Sequence, residues 1–491
     1  MVSMTVLTAT SGLLIVLFVA ILLFTANKLV NRQRETQKAG FLVADRQAPW
    51  LKTSFSISAA WVWAPALFVA AQQAYQNGWV GVFWFMVPNV LALILFSFFA
   101  SRVRMQMQNG FTLSGYIREK LGPGTQKVYS ACLLLLALLS FAVQLLAGGL
   151  VIATLTGLPY PAITVLLAII AVAYSYYSGL KASLITGTIK MAAIFVIGVG
   201  VAVAVAASSH SVFAGLGGID HNTFSLTSGA GVAVFWSFGL STAIGLLSGP
   251  FGDQAMWQRA FAVKRGFVSR SFVVGAIMFA VVPLTMSILG FALAGAGVKV
   301  ENLQLTNITA VITWLPNWVV VCFAVMVIIG LISTLDSNLC AASSIVGNDF
   351  SSRSEGSLRN ARIAMVVLAT LGVAVANIPG LTITKLFIIY GTLRASSFVP
   401  TVTVIATRLK LHGRSVSAGI ITALVVGVPM SAYGNLNNKV AFIVGASITV
   451  LLVSGGISLG ASYVNHRRGR RFEAPSSVGS AMDSALVTVE P

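Results

Sequence analysis

The stretch LISTLDSNLCAASS, residues 331–344, decides the fold class, because it joins an apolar helix to a polar face. The apolar run begins near Trp318, and six hydroxyl or carboxylate side chains lie toward its end: Ser333, Thr334, Asp336, Ser337, Ser343 and Ser344. On a helix Ser333 and Ser337 share one face, with Thr334 beside them. Hydroxyl oxygens are suitable ligands for a hard cation. In membrane helices they also bond to the carbonyl one turn earlier, so both interpretations stand.

The composition of the chain predicts an all-α polytopic membrane protein. Of its 491 residues 57% are hydrophobic and 9% are charged, and the mean hydropathy is +0.90. Soluble domains carry about a quarter charged residues. Apolar runs long enough to cross a bilayer as helices recur from end to end. Thirteen spans are predicted, at residues 5–27, 53–76, 80–101, 128–155, 160–177, 183–207, 231–250, 268–295, 317–347, 361–378, 382–407, 415–433 and 440–464.

The distribution of basic residues predicts the orientation of these spans. With the N-terminus outside, alternate loops hold 26 Lys and Arg residues on one side and 2 on the other. The positive-inside rule then places the C-terminus in the cytoplasm, for a protein of the plasma or inner membrane. The net charge of +19 is therefore a topology signal and does not indicate nucleic-acid binding. Residues 465–491 open with HRRGRR and are expected to form a basic, disordered cytoplasmic tail.

The sequence predicts that the protein is not an enzyme. The loops leave no room for a soluble catalytic domain, and nucleotide-binding and HExxH motifs are absent. The four histidines fall in loops without clustering. The cysteines Cys132, Cys322 and Cys340 lie in predicted spans without metal-ligand spacing, so we expect small buried side chains.

Two spans contain residues that interrupt helices. Span 2, residues 53–76, has Pro65 in its middle. Span 7, residues 231–250, contains four such residues: Gly239, Gly245, Gly249 and Pro250. Interrupted helices at matching positions of two halves are typical of transporters, because unwound carbonyls can coordinate a coupling ion.

The same two spans predict how the chain is organised. Each opens a unit of five helices, residues 53–207 and 231–407. Because five is odd, the second unit must lie inverted relative to the first. An extra N-terminal helix within residues 1–30 precedes the units, and two helices within 415–464 follow them.

Four segments resemble the sodium/solute symporter family, and the first of them looks most like its urea-type branch. They are AWVWAPALFVAAQQAYQNGWVGVFWF (60–85), SGLKASLITGTIK (178–190), the cytoplasmic Asp-Gln…Gln-Arg motif DQAMWQRAFA (253–262) and GLISTLDSNLCAASSIVGNDF (330–350). The resemblance implies a leucine-transporter-like 5+5 inverted repeat with an extra N-terminal helix. It implies Na⁺ as coupling ion, bound by the carbonyls of Ala59, Val62 and Gly330 and the hydroxyls of Ser333 and Thr334.

The resemblance also implies a small polar substrate, a urea-like amide or a small carboxylate, beside the Na⁺ site. The residues it would contact are Trp61, Trp63, Pro65, Ala66, Ser237, Phe238, Ser241 and Arg394. Arg394 lies in mid-span, where urea-type relatives have an apolar residue. Its guanidinium could bind a substrate carboxylate with two hydrogen bonds or pair internally with Asp336.

The sequence departs from the family pattern in span 6. Many members have Thr-Asp at the position of Thr186–Gly187, where the Asp helps to bind a second Na⁺, and this chain has Gly187 and Lys190 instead. Its one carboxylate away from span ends is Asp336, and an isolated charge at that depth costs at least about 2.5–3.5 kcal/mol. We therefore predict that Lys190 pairs with Asp336 and replaces the second cation. Alternatively, Lys190 extends to the cytoplasmic face and Asp336 meets water.

Together these features predict a Na⁺-coupled symporter of a small polar solute that works by alternating access. One alternative keeps the fold and couples transport to H⁺, with Asp336 as the titrating group. The other is a membrane sensor built on a transporter core, which the short tail disfavours because such sensors carry a long output domain.

Overall fold

The computed structural model describes residues 37–176, 179–350, 354–407 and 409–467, together with isolated residues between 7 and 25. Within these ranges the chain is helical and contains one isolated β-bridge, between Ala48 and Val263. The α-helices are α1 (Lys38–Val43), α2 (Trp50–Trp61), α3 (Ala64–Gln106), α4 (Leu113–Leu121), α5 (Pro123–Thr156), α6 (Tyr160–Ser175), α7 (Gly179–Ser209), α8 (Gly229–Val234), α9 (Leu240–Leu247), α10 (Gln254–Ala262), α11 (Val268–Gly295), α12 (Thr306–Trp314), α13 (Asn317–Asp349), α14 (Ser354–Ala376), α15 (Ile383–Ala406), α16 (Gly413–Leu436) and α17 (Val440–Arg467).

The predicted spans after the first are largely helical in the residues that the structure describes. Among the described residues, ten helical segments are long and apolar enough to cross a membrane, and Tyr160–Ala173 is a shorter apolar helix. In a bilayer such segments must be helical, because every backbone N–H and C=O then finds a partner within the segment. Most of the predicted span 5–27 and most of the predicted tail lie outside the described residues. The division into repeats at 53–207 and 231–407 stays a prediction.

Span 2 is interrupted where Pro65 predicts it. α2 ends at Trp61, and Val62 has φ −76° and ψ 88°, so the helix stops before α3 begins at Ala64. α3 then continues for 43 residues and includes span 3, with a change of direction at Gly78 (φ 60°, ψ −154°). A Cβ on Gly78 would lie 2.2 Å from the Leu216 carbonyl oxygen. Glycine therefore supplies both the backbone angles and the close approach that this bend requires.

Span 7 is interrupted at Gly249 and Pro250, two of the four predicted residues, and not at Gly239 or Gly245. The helix does not unwind at Gly239, because residues Phe235–Gly239 form a π-helical turn that continues into α9. The interruption comes later, through the 3₁₀ turn Gly249–Gly252 and the extended residue Asp253. The chain then resumes as α10, and all nine residues of this helix are buried. Most of the DQAMWQRAFA segment, which resembles a cytoplasmic family motif, thus forms a buried helix.

α3 packs extensively against α11. Gly290 allows the two helices to touch, since a Cβ there would lie 2.1 Å from the Ala71 carbonyl oxygen and 2.7 Å from Ala74 Cβ. Small residues at helix crossings have this function in membranes, where close packing replaces the hydrophobic effect between helices. The interface holds the second half of span 2 in place behind its interruption.

We expect Gly290→Ala to lower the free energy of unfolding by about 1–3 kcal/mol, because the new methyl group overpacks against backbone that cannot move aside. Gly200→Ala is the matched control, since no atom lies within 4 Å of a Cβ at that position on α7. The control should be neutral or slightly stabilising. Unfolding of both purified variants in detergent measures the difference, and equal stabilities would contradict the packing argument.

Candidate cation and substrate site

The interruption of span 2 leaves backbone groups that other helices must bind. The first N–H of α3, on Ala64, donates to Gln144 Oε1 of α5 at 2.7 Å. On the other side of the interruption, the Val62 carbonyl accepts a hydrogen bond from Thr334 Oγ1 of α13 at 2.9 Å, and the same hydroxyl lies 3.4 Å from the Ala60 carbonyl oxygen. The polar end of α13 therefore crosses span 2 where its helix stops.

The other predicted cation ligands lie on the same two crossing elements. Ala59 and Val62 are fully buried, and Ser333 and Thr334 are 3% and 4% exposed. Gly330 faces the interruption, since a Cβ on it would lie 3.3 Å from Leu67 Cδ1 and 3.8 Å from Val62 Cγ1. Such a set would supply neutral carbonyl and hydroxyl oxygens only, which suits a hard cation of low charge. The role of these residues as ligands stays a prediction.

Lys190 and Asp336 form the ion pair that the sequence predicts. The Lys190 ammonium lies 3.0 Å from Asp336 Oδ2, with both side chains 1% exposed or less. Ser175 Oγ and Cys340 Sγ also donate to Asp336 Oδ1, at 3.4 and 3.6 Å. Lys190 is 1% exposed, so it does not extend to the surface. The pair neutralises two charges at membrane depth; its part in coupling stays a prediction.

Gly187, the other departure from the family pattern, is packed against α2. A Cβ at this position would lie 3.0 Å from Ser56 Cα and 3.2 Å from Ser56 Cβ. A carboxylate side chain in its place would therefore require α2 to shift away from α7. The chain instead presents Lys190 one turn later, toward α13.

Arg394 pairs internally, but its partner is Asp253 and not Asp336. Its Nη2 donates to the Tyr390 hydroxyl at 2.6 Å and lies 3.7 Å from Asp253 Oδ2. The guanidinium carbon lies 3.8 Å from the Tyr390 ring centroid, 5.3 Å from that of Trp61 and 5.0 Å from that of Trp63. Arg394 thus joins the interruption of span 2 to that of span 7. Asp253, which follows the predicted end of span 7, is also largely enclosed, with 14% of its side chain exposed.

The remaining predicted substrate contacts divide into two groups. Trp61, Trp63, Pro65, Ala66, Phe238 and Ser241 are buried. The Trp61 indole donates to Asn89 at 3.1 Å, and Trp63 packs against Phe387 and Tyr390 with centroid distances of 5.5 Å. Ser237 is exposed on the same turn as Trp236, and its hydroxyl lies 3.5 Å from the Val234 carbonyl oxygen. The π-helical turn gives Ser237 this position, so the structure does not place it with the buried group.

Sequence reasoning missed three residues of the site: Gln144, Asp253 and Tyr390. Gln144 looked like an ordinary polar residue in an apolar span, and nothing in its neighbourhood indicates that it caps another helix. Asp253 and Tyr390 carried a weak signal. Asp253 lies three residues after Pro250, and Tyr390 lies one helical turn before Arg394, where its hydroxyl can reach the guanidinium.

We expect Lys190→Met to lower the free energy of unfolding by about 3–5 kcal/mol, because it leaves the Asp336 carboxylate buried and unpaired. The double variant Lys190→Met/Asp336→Asn should recover most of this loss. The exposed pair of Lys181 and Asp45, at 3.7 Å, is the control, and Lys181→Met should change stability by less than about 1 kcal/mol. Additive effects of the two interior substitutions would contradict the pairing.

Solved structures share this fold. A Na⁺-coupled sialic acid symporter, in a substrate-bound outward-open state, matches with a TM-score of 0.73 at 14% identity, over 91% of this chain and 98% of that one. Mhp1, a nucleobase-cation-symport-1 family transporter in a closed conformation with bromovinylhydantoin bound, matches with a TM-score of 0.58 at 15% identity, over 92% and 98%. MhsT in complex with L-phenylalanine matches with a TM-score of 0.55 at 14% identity, over 85% and 98%. The leucine-transporter-like fold predicted from the sequence is confirmed.

Curated relatives agree with the predicted resemblance to the urea-type branch. Probable urea active transporter 1 of Schizosaccharomyces pombe is 23% identical over 54% of this chain and 42% of its own length. Urea-proton symporter DUR3 of Oryza sativa subsp. japonica is 22% identical over 56% of this chain and 42% of its own length. The matched region thus spans under half of these relatives. Residues 41–378 match the family model described as the sodium:solute symporter family. The chain therefore belongs to this family of transporters, in agreement with the prediction that it is not an enzyme.

Proposed function

We propose that the protein is a secondary active transporter that couples uptake of a small neutral amide of the urea type to Na⁺. The single observation that carries the proposal is the contact between the Thr334 hydroxyl and the Val62 carbonyl, at 2.9 Å. It brings a hydroxyl of one helix to the unwound carbonyls of another. Transporters coordinate alkali cations in such arrangements, where irregular backbone lines a site inside the membrane.

The charges around the site favour a single coupling cation. The proposed ligands Ala59, Val62, Gly330, Ser333 and Thr334 are neutral, so one bound Na⁺ adds one positive charge. Asp336, which lies two residues after Thr334 on α13, is already paired with Lys190. A second cation would therefore have to displace a tethered ammonium.

The surroundings of Arg394 favour a neutral substrate over a carboxylate. The guanidinium already faces the Asp253 carboxylate, which would repel an anion and reduce the gain from binding one. The indole nitrogen of Trp63 and Nε of Arg394 are buried without a hydrogen-bond partner among the described residues. A planar amide could accept these N–H groups at its carbonyl oxygen and lie against the aromatic rings. The relatives named as urea transporters support this substrate class.

Coupling follows if ion and substrate stabilise the same conformation. The proposed ion ligands and the aromatic residues Trp61 and Trp63 lie on the same interrupted span, so each ligand would order the segment the other uses. Such coupling is reciprocal, because each ligand must raise the affinity for the other by the same factor. The basic loops predict that the released solute enters the cytoplasm.

We expect Na⁺-dependent uptake of radiolabelled urea into proteoliposomes, with a Hill coefficient for Na⁺ near one and little uptake of short carboxylates. Thr334→Val keeps the side-chain shape and removes the hydroxyl, so the half-saturating Na⁺ concentration should rise by roughly tenfold. Ser343→Ala is the matched control on α13, since its hydroxyl bonds to the Cys340 carbonyl within the helix. A Hill coefficient near two would contradict the single cation, and an unchanged Na⁺ dependence in Thr334→Val would contradict the site.

A second candidate is proton coupling, which the rice relative named as a urea-proton symporter favours. Asp336 already has an ammonium partner, so Asp253 is the better proton site. Asp253 lies between the apolar segments 229–247 and 268–295, and it faces Arg394 and Tyr390 of α15 and Arg259 of α10. Burial raises the pKa of the Asp253 carboxyl, while Arg394 and the N–H groups of Ala255 and Met256 act in the opposite direction.

If protons are the coupling ion, uptake should fall as the pH rises through the raised pKa of Asp253, because only the protonated carboxyl carries a proton that can be transported. Asp253→Asn keeps the N-cap of α10, so the fold should persist while the pH dependence of uptake is lost. The exposed Asp220→Asn is the control and should keep the wild-type profile. Uptake that depends on Na⁺ and not on pH would rule out this candidate.

A further inference from the structure

α10 is a polar helix in an interior position. All nine of its residues are buried, although two glutamines and one arginine are among them. Burial of such groups is tolerated only when each is hydrogen-bonded. Gln254 donates to the Phe111 carbonyl and to Ser344 Oγ of α13, both at 3.1 Å, and Gln258 donates to the Leu42 carbonyl of α1 at 2.6 Å. The helix is therefore held to its neighbours by side-chain hydrogen bonds.

Arg259 makes the most extensive of these contacts. Its Nε donates to Ser56 Oγ at 3.0 Å and to the Ser56 carbonyl at 3.2 Å, both on α2. Its Nη2 donates to Ser337 Oγ of α13 at 2.8 Å and to Ser183 Oγ of α7 at 3.4 Å. Arg259 is 1% exposed, and no carboxylate lies within ion-pair distance of it among the described residues. The guanidinium thus joins three helices through neutral oxygens.

The position of these contacts relates Arg259 to the proposed cation site. Ser56 lies three residues before Ala59 on α2, and Ser337 lies four residues after Ser333 on α13, so each is one helical turn from a proposed ligand. Ser337 Oγ also donates to the Ser333 carbonyl at 2.8 Å. The guanidinium therefore bridges the same two helices that the bound cation would bridge, one turn further along.

We propose that Arg259 is a positioning residue for the cation site and the latch that keeps its predicted cytoplasmic side closed. The inference rests on the proposed function. Arg259 holds α2 and α13 at the spacing that the ion requires, and the bridge must open before the ion can leave on that side. Hydrogen bonds to hydroxyls suit this task, because each contributes a modest net stability and can exchange with water.

Arg259 could act by repelling Na⁺ or by positioning the two helices. The two roles predict opposite changes in Na⁺ affinity, so experiment can separate them. If its positive charge acted mainly by repelling Na⁺, Arg259→Gln would bind Na⁺ more tightly and Arg259→Lys would resemble the wild type. If positioning dominates, both variants should bind Na⁺ more weakly, because neither replaces the planar group that spans Ser56, Ser183 and Ser337.

The test uses Cys340, which is buried on α13 three residues after Ser337. In a Cys132→Ala/Cys322→Ala background, a membrane-impermeant maleimide is applied from the predicted cytoplasmic side over a range of Na⁺ concentrations. We expect Na⁺ to slow labelling, and Arg259→Lys to raise the labelling rate at low Na⁺ by roughly tenfold, as for the loss of one charge-assisted hydrogen bond. In Arg259→Lys, a higher Na⁺ concentration should also be needed to protect Cys340 from labelling. Ser337→Ala should change both quantities in the same direction, and it replaces Arg259→Lys if that variant does not fold.

Arg104→Lys is the matched control, because Arg104 is also buried but bonds to the Gln108 carbonyl near the end of α3. It should leave Cys340 labelling unchanged. Equal labelling rates and equal Na⁺ protection in wild type and Arg259→Lys would overturn the latch and leave Na⁺ binding intact. Faster labelling in Arg259→Lys, with no effect of Na⁺ on either protein, would support the latch and contradict the proposed coupling ion.

Discussion

The structure depends on one constraint: a helix that stops inside the membrane must have its free backbone groups bound by other elements. At Val62 and Ala64 this requirement is met by Thr334 and Gln144, which come from α13 and α5. The interruption thus determines where these two helices cross span 2. It also leaves carbonyl oxygens beside a hydroxyl, which is the chemistry of an alkali-cation site. Stability and the candidate function come from the same few bonds.

The enclosed charges follow a related rule. Lys190 is paired with Asp336, and Arg394 faces Asp253, so each of these cations has an acidic neighbour. Arg259 is different, because it is bound by oxygens of Ser56, Ser183 and Ser337 and by a backbone carbonyl, while Asp253 and Asp336 lie beyond ion-pair distance. Near the proposed substrate position the pairing leaves little net charge. The small net charge favours a dipolar, uncharged solute, and this electrostatic argument does not depend on the names of relatives.

Hydropathy and helix-breaking residues predicted the spans, the interruption near Pro65 and the Lys190–Asp336 pair, because each follows from local composition or from the energy of a charge in the membrane. α10 could not be predicted in this way. Its Gln and Arg residues resemble a loop, and only the neighbouring helices supply the bonds that allow burial. The predicted position of Ser237 among the buried substrate contacts was wrong for another reason. The π-helical turn at Phe235–Gly239 shifts the helical register, and nothing in the sequence of that turn marks the shift.

The strengths of these contacts indicate which helices move together during alternating access. Leaving one member of a buried ion pair without its partner costs about 3–5 kcal/mol, so α7 and α13, joined by Lys190 and Asp336, should move as one unit. Contacts that break in every transport cycle must each be weaker than a buried ion pair. The bonds from Arg259 and Gln254 to the hydroxyls of α13 fit this description, as does the single hydroxyl contact of Thr334. On the proposed mechanism, the surface that opens would lie between α13 and the pair formed by α2 and α10, around the proposed cation site.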